Sequence, residues 1–205
     1  MIELINISKK FHGRTIFEEY NLKIKKGDFI SIVGESGTGK TTLLNIIGLL
    51  ERPDSGDLIV DGKSNLTKKQ ILLLQRNSFG YLFQNYALID NETVEKNLLI
   101  ALAYRKNINK KEEIKNALKA VNLSNYENRK VYELSGGEQQ RIALARVILK
   151  KCDYILADEP TGNLDKNNST VIFDVLKTLN REGKTIVFVT HDLELANRAT
   201  TRIEL

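Results

Sequence analysis

Cysteine and proline are scarce in this sequence of 205 residues. The one cysteine, Cys152, excludes an internal disulfide framework, suits a reducing compartment and is interpreted as a small apolar side chain leading into a strand. The two prolines, Pro53 and Pro160, lie in a turn and directly after a predicted strand, where chain punctuation is expected. No predicted helix is therefore interrupted by proline.

Long apolar runs and a large excess of one charge are also missing. The longest apolar run, LLNIIGLL at 43–50, is far shorter than the roughly 20 residues that cross a bilayer, and the opening MIELINISKKF does not resemble a signal peptide. Lys and Arg total 31 against 26 Asp and Glu, spread in mixed clusters that favour a solvated surface over a nucleic-acid groove. We therefore expect no nucleic-acid partner, and any membrane role to depend on another polypeptide.

Short β-branched runs alternate with amphipathic stretches along the chain. The predicted strands are FISIVG at 29–34, DLIVDG at 57–62, FGYLF at 79–83, DYILAD at 153–158 and TIVFVT at 185–190. This alternation predicts an α/β fold with a mostly parallel sheet covered by helices on both faces. Residues 1–30 predict an antiparallel β hairpin with its turn near His12 and Gly13, and residues 85–133 predict a helical lobe inserted in the core of a single domain, 1–205.

The segment GESGTGKTT at 34–42 fits the pattern G-x-x-x-x-G-K-[ST] between a predicted strand and a predicted helix. Small residues let backbone N–H groups close around a β-phosphate, Lys40 supplies charge to the β and γ oxygens, and the Thr41 hydroxyl can ligate Mg²⁺. The segment therefore predicts a nucleoside triphosphate site. Its predicted nucleotide contacts are Gly34, Glu35, Ser36, Gly37, Thr38, Gly39, Lys40, Thr41 and Thr42.

Polar residues follow three other predicted strands. Asp158 and Glu159 end YILAD, His191 follows TIVFVT, and Gln84 follows FGYLF. Because the carboxyl ends of parallel strands line the ligand crevice, Asp158 is predicted to hold Mg²⁺ and Glu159 to polarise the attacking water, with Gln84 near the metal or that water and His191 as a further catalytic candidate. Taken singly, strand-capping acids, a structural histidine and a buried glutamine are the alternatives.

A second glycine-containing helix start occurs in LSGGEQQR at 134–141. Ser135 and Glu138 have the S-x-x-E spacing of a capping box. The box leaves Gly136 and Gly137 unexplained, since each glycine costs a helix about 1 kcal/mol relative to alanine. That cost is expected where a large anion must approach the backbone. A structural cap and an anion site are both open.

Together these motifs resemble the nucleotide-binding subunit of an ATP-binding cassette (ABC) transporter over the whole chain. The Walker A motif is GESGTGKT, the Q-loop glutamine is Gln84, the signature is LSGGEQQR, the Walker B motif is YILADE, the D-loop is Asn163-Leu-Asp165, and the switch histidine is His191. Phe11 matches the aromatic that stacks on adenine in this family, although Tyr is commoner there and any aromatic would fit a core. The resemblance implies ATP and Mg²⁺ as cofactors, with Thr41, Gln84 and Asp158 at the metal.

The resemblance also implies partners. In the family two cassettes pack head to tail, and we expect the second cassette to be an identical copy. The nucleotide bound by that copy would be contacted by Ser135, Gly136, Gly137, Glu138 and Asp165. An integral membrane permease would dock at the 85–133 lobe, on the cytoplasmic face of a bacterial membrane. The motifs are most similar to the lipoprotein-release, macrolide-export and bacteriocin-export group, which implies an ATPase that drives export of a peptide, bacteriocin or other hydrophobic cargo. The alternative is the ATPase of a non-transporting signalling or cell-wall-hydrolase-activating complex.

Overall fold

The computed structural model describes residues 1–11, 13–162 and 164–205. The strands are β1 (Ile2–Phe11), β2 (Arg14–Ile24), β3 (Phe29–Val33), β4 (Ser55–Val60), β5 (Phe79–Leu82), β6 (Tyr154–Asp158), β7 (Thr185–Val189) and β8 (Thr201–Glu204). The α-helices are α1 (Lys40–Ile47), α2 (Lys68–Asn77), α3 (Val94–Leu99), α4 (Lys110–Ala120), α5 (Gly136–Lys150), α6 (Lys166–Arg181) and α7 (Leu193–Ala196). Within these ranges, no helix has both the length and the apolarity that crossing a membrane requires.

The larger sheet is parallel and has the strand order β5-β6-β7-β3-β8. Strands β3 and β7 are buried at every residue, which accounts for their continuous apolar runs. Strand β8 was not among the predicted strands because it is short, mostly exposed and at the sheet edge, so it has no strong apolar pattern. The sheet brings the carboxyl ends of β3, β6 and β7 to one edge.

The smaller sheet is antiparallel, with the order β2-β1-β4. The predicted hairpin is present, with Ile2 opposite Ile24; of its predicted turn residues, Gly13 has φ 82° and His12 lies outside the described residues. The sequence pattern predicts β4 among the strands that alternate with helices, but β4 pairs with β1, with Ile2 opposite Val60. Because half of the residues of β4 are exposed and only Val60 is buried, the strand suits a sheet with one solvated face.

Residues 85–133 contain α3, α4 and two 3-10 turns, Ile100–Leu102 and Val131–Glu133, and none of these residues belongs to a strand. Thr93 and Asn109 cap α3 and α4 by accepting the N–H groups of the third helical residues. The buried side chains of both helices, including Val94 and Leu118, join the same apolar layer as α5 and the parallel sheet. The lobe is therefore held against α5 by a shared core.

Alternate residues of the parallel strands face two apolar layers. Ile155 and Ala157 pack with α5 and α6, whereas Leu156 and Val187 pack with α1 and the antiparallel sheet. Cys152 belongs to the first layer, where burial raises the pKa of its thiol to about 11. Both sheet faces are covered, so the polar residues at the carboxyl ends of the strands are fixed on a rigid support.

Candidate nucleotide-binding site

The 34–42 loop connects β3 to the start of α1. Gly39 is the N-cap residue of α1, with φ 100° and no side-chain cap. A Cβ atom on Gly39 would lie 2.3 Å from Cγ2 of Ile16 on β2, so both the backbone angle and the packing require glycine. The first N–H groups of α1 have no acceptor inside the helix, and such a helix start binds phosphate.

Lys40 is held inside this loop. Its ammonium donates hydrogen bonds to the carbonyl oxygens of Gly34 at 2.9 Å and Glu35 at 2.7 Å. The side chain therefore curls back over the residues that precede α1. This arrangement concentrates positive charge at the mouth of the loop, where phosphate oxygens are expected.

Thr41 and Asp158 meet across the end of the parallel sheet. The Thr41 hydroxyl donates to the two carboxylate oxygens of Asp158 at 3.0 and 3.2 Å. Burial and the neighbouring charge of Glu159 raise the pKa of Asp158, although the Thr41 hydrogen bond and the Lys40 charge oppose the shift. The ionised carboxylate is thus disfavoured where it lies, and a cation placed beside it would stabilise it.

Glu159 and His191 form a second polar pair. Oε2 of Glu159 is 3.0 Å from Nδ1 of His191. Glu159 has φ 46°, which is uncommon for a residue other than glycine, and its N–H donates to the carbonyl oxygen of Val189 at 3.1 Å. Such backbone conformations cluster at functional sites. Here the conformation turns the chain at the end of β6 and directs the carboxylate toward His191.

These groups share one cleft of about 390 Å³, a size that suits a small ligand. It is lined by Ile16, Ser36, Gly37, Gly39, Lys40, Thr41, Thr42, Gln84, Asp158, Glu159, Val189 and His191. Ten of the predicted site residues are thus brought together by the fold. Ile16 and Val189 were not predicted, because an apolar side chain on a strand carries no sign of a ligand.

Four other predicted contacts do not line this cleft in the described structure. Gly34, Glu35 and Thr38 lie in the same loop, where Thr38 N–H faces the Glu35 carbonyl oxygen at 3.4 Å. Phe11 ends β1 with 40% of its surface exposed, and the Lys9 ammonium lies 5.0 Å from the centre of its ring. An exposed ring is compatible with the predicted adenine contact, which stays a prediction.

The signature segment starts α5 away from this cleft, since none of residues 134–141 is among the described lining residues. Ser135 is the N-cap: its hydroxyl oxygen accepts the Glu138 N–H at 3.3 Å, and Glu138 Oε2 accepts the Ser135 N–H at 2.8 Å. The predicted capping box is therefore present. It satisfies the start of α5 with the chain's own side chains.

The two signature glycines have packing reasons within the chain. A Cβ atom on Gly136 would lie 2.8 Å from the Tyr86 hydroxyl, and one on Gly137 would lie 2.5 Å from the Asn168 side chain. Asn168 is fixed by Asp165, which caps α6 by accepting the Asn168 N–H at 2.9 Å. An approaching anion is therefore not needed to explain either glycine. Of the predicted D-loop, Asn163 lies outside the described residues.

A family model described as "ABC transporter" matches residues 17–162. The chain belongs to the ABC transporter family. It is an ABC ATPase cassette, and the resemblance and the fold class expected from its motifs are confirmed. The roles of individual site residues stay predictions.

Curated relatives and solved structures agree with this assignment. The chain is 40% identical over 214 residues to "Macrolide export ATP-binding/permease protein MacB" of Bartonella quintana (strain Toulouse), covering 100% of this chain and 32% of that protein. It is 39% identical over 204 residues to "Lipoprotein-releasing system ATP-binding protein LolD" of Aquifex aeolicus (strain VF5), covering 98% and 91%. The chain thus spans about a third of the length of MacB relatives and most of LolD.

Two solved structures of the ABC cassette MJ0796 are similar over the whole chain. The dimeric structure of this bacterial cassette has a TM-score of 0.91 at 36% identity, covering 100% of this chain and 94% of that one. A dimeric post-hydrolysis state of MJ0796 bound to ADP and Pi has a TM-score of 0.92 at the same identity and coverage. MJ0796 is thus dimeric in both structures and binds ADP and Pi in one of them.

Proposed function

We propose that two copies of this cassette close around ATP and Mg²⁺, and that hydrolysis drives a separate membrane permease. The observation that carries this proposal is the division of phosphate-binding features between two places. The cleft gathers the phosphate loop and the strand-end carboxylates, while the signature helix starts elsewhere on the chain. A second copy can bring its signature to the cleft, which supports a shared site completed only in the dimer.

The residues present fit Mg²⁺. Mg²⁺ is usually bound through one or two protein oxygens together with substrate phosphates and water. The Thr41 hydroxyl and the Asp158 carboxylate supply such oxygens, Gln84 lines the same cleft, and the described residues contain no cluster of three or more His, Cys, Asp or Glu side chains that could hold a metal alone. When bound, the ion would neutralise charge on the phosphate oxygens.

Glu159 is proposed to accept the proton of the water that attacks the γ-phosphate. The His191 ring, 3.0 Å from the carboxylate, would hold Glu159 in the required orientation. Lys40, which lines the same cleft, would bind the phosphate oxygens. Removal of the γ-phosphate then removes the contacts that favour the closed dimer, so the two copies separate.

The permease is proposed to dock in a groove beside the helical lobe, which we call the α2–α5 groove. This groove of about 440 Å³ is lined by Leu50, Leu72, Gln75, Arg76, Tyr81, Phe83, Ala87, Ile100, Ala101, Tyr104, Arg146, Val147 and Lys150. It includes exposed apolar side chains such as Leu72 and Ile100, as interaction surfaces do. Because α2, β5 and α5 contribute more of the lining residues than the lobe does, the proposed contact extends beyond residues 85–133.

Charge in the α2–α5 groove has one sign. Arg76, Arg146 and Lys150 line it, no acidic residue does, and none of the three makes an ion pair with a described residue. Burial lowers the pKa of both Arg146 and Lys150. An apolar cytoplasmic segment carrying a carboxylate would complement this surface.

The cargo and location are proposed from the relatives. One relative is named for macrolide export and the other for lipoprotein release. Both names refer to molecules with large apolar parts, so a peptide, bacteriocin or other hydrophobic molecule is the proposed export cargo. Because the proposed permease is a membrane protein, the cassette would lie on the cytoplasmic face of a bacterial membrane.

The shared site is tested with Ser135→Arg in a Glu159→Gln background, where ATP hydrolysis is expected to be slow. We expect the variant to lose ATP-dependent dimerisation, measured by analytical ultracentrifugation, because an arginine fills the space for the partner's γ-phosphate. The ATP affinity of the monomer should be unchanged. Ser124→Arg, at an exposed loop position, is the matched control. Normal dimerisation of Ser135→Arg would contradict the shared site.

A further inference from the structure

Tyr126 lies in the loop that leads from α4 to the signature. This loop is attached to the start of α3, because Val94 N–H donates to the Arg129 carbonyl oxygen and Glu95 N–H to the Glu127 carbonyl oxygen, both at 2.9 Å. The Arg129 guanidinium stacks on the Tyr126 ring at 4.0 Å from its centre. The ring and backbone of Tyr126 therefore belong to the helical lobe.

The Tyr126 hydroxyl reaches the signature through Glu138. It donates to Oε1 of Glu138 at 2.7 Å. The other carboxylate oxygen, Oε2, accepts both the N–H of Ser135 at 2.8 Å and its hydroxyl at 2.9 Å. Although burial favours the neutral acid, the hydrogen bonds from Tyr126 and Ser135 hold the pKa of Glu138 below its usual range. The carboxylate is thus charged and shared between the lobe and Ser135.

A capping box needs only its two members. The third donor, Tyr126, occupies the oxygen that the box leaves free and so prevents the carboxylate from rotating. Because Glu138 is the acceptor for the Ser135 hydroxyl, its orientation sets where that hydroxyl lies. Ser135 itself is exposed and makes no direct bond to the lobe within the described residues.

We propose that Tyr126 is a positioning residue for the shared nucleotide site: through Glu138 it holds Ser135 in place for the γ-phosphate bound by the second copy. This inference rests on the proposed function. It also makes the helical lobe part of the site, since a displacement of the lobe moves Tyr126, and with it the acceptor of the signature serine.

The test is Tyr126→Phe, which removes one oxygen atom and keeps the ring beneath Arg129. In the Glu159→Gln background we expect the ATP concentration for half-maximal dimerisation to rise about tenfold, as for the loss of a hydrogen bond to a charged group. ATP affinity of the monomer and the melting temperature should change little. The control is Tyr132→Phe, because Tyr132 is 57% exposed and its hydroxyl has no hydrogen bond among the described residues.

A double-mutant cycle with Glu138→Ala separates positioning from general loosening. If Tyr126 acts through Glu138, Tyr126→Phe should have almost no further effect on dimerisation once the carboxylate is gone. An equal effect with and without Glu138 would overturn the inference, as would wild-type dimerisation of Tyr126→Phe while Ser135→Arg abolishes it. If Ser135→Arg itself dimerises normally, the proposed shared site fails first.

Discussion

Two helices of this cassette begin at glycine-containing motifs, and they begin differently. Helix α1 follows Gly39, with no side-chain cap and no acidic residue in its first turn. Helix α5 follows Ser135, is closed by a capping box and has Glu138 in its first turn. The partial positive charge of the helix start is therefore not compensated by an acidic side chain at α1, whereas Glu138 compensates it at α5.

This difference teaches which helix can bind phosphate alone. The start of α1 has Lys40 and the cleft around it, so the isolated chain is expected to bind the nucleotide there. At α5 an incoming phosphate meets the Glu138 carboxylate and must compete for the Ser135 hydroxyl. We therefore expect α5 to contribute only when a second copy presents a phosphate already held and neutralised.

The largest expected effect comes from Glu159→Gln, which separates binding from hydrolysis. Loss of the general base should lower the rate of phosphate release by roughly 10²- to 10⁴-fold. The cleft at the start of α1 should still bind ATP, so an ATP-bound dimer should accumulate. Phosphate release and sedimentation measure the two effects. Glu182→Gln, an exposed change of the same chemistry at the end of α6, is the control. Near-normal turnover of the Glu159 variant would remove Glu159 from its role.

Much of the α1 side was predictable from sequence because its chemistry is local. The glycine spacing around Lys40 and the acids that end β6 identify the cleft before any fold is known, and a parallel sheet brings them together. Ile16 could not be found this way, since it lies on β2 and reaches the cleft only through tertiary packing. Strand β4 was misplaced for a related reason, because pairing partners are not encoded in its own residues.

The α5 side was only partly predictable. The spacing of Ser135 and Glu138 predicts the cap, whereas the glycines between them leave a structural role and an anion site both open. The neighbours that explain them, Tyr86 and Asn168, are far away in sequence and carry no motif. The low helix propensity of glycine indicates that a glycine in a helix is required for some purpose. Only the packed structure shows which neighbouring side chains require it.

Gly136→Ala is the change that sharpens this point. Alanine gains about 1 kcal/mol of helix propensity, but its Cβ would lie 2.8 Å from the Tyr86 hydroxyl, and such overpacking typically costs about 1–3 kcal/mol. We expect Gly136→Ala to lower the free energy of unfolding in the natural chain and to raise it in a Tyr86→Phe background. Urea denaturation of the four proteins measures this reversal.

The same four proteins separate packing from phosphate binding. Tyr86→Phe alone should be nearly neutral, since the Tyr86 hydroxyl has no hydrogen bond among the described residues. If Gly136 is glycine only because of Tyr86, ATP-dependent dimerisation returns together with stability in the double variant. If stability returns without dimerisation, the partner's phosphate also needs the space. Destabilisation that is the same in both backgrounds would contradict the packing explanation.

The smallest expected effect is at the end of the sheet beside α1, with Asp158→Asn. Because the pKa of Asp158 is raised in the folded chain, the folded state binds more protons than the unfolded one, and stability contributed by this group falls as pH rises through its pKa. Asparagine keeps an acceptor for Thr41 without the charge, so the variant should be more stable than the natural chain near pH 7 by a few tenths to about 1 kcal/mol.

That difference should shrink toward pH 4, where Asp158 is increasingly protonated in the folded chain. Thermal denaturation without nucleotide measures it, and Asp57→Asn, at an exposed position on β4, is the matched control. Adding Mg²⁺ and ATP should reverse the order at pH 7, because the cation stabilises the ionised carboxylate that burial disfavours. A buried carboxylate that is placed to bind a metal is expected to destabilise the chain when the metal is absent. If Asp158→Asn melted earlier than the natural chain at pH 7 without nucleotide, that result would argue against this role for Asp158.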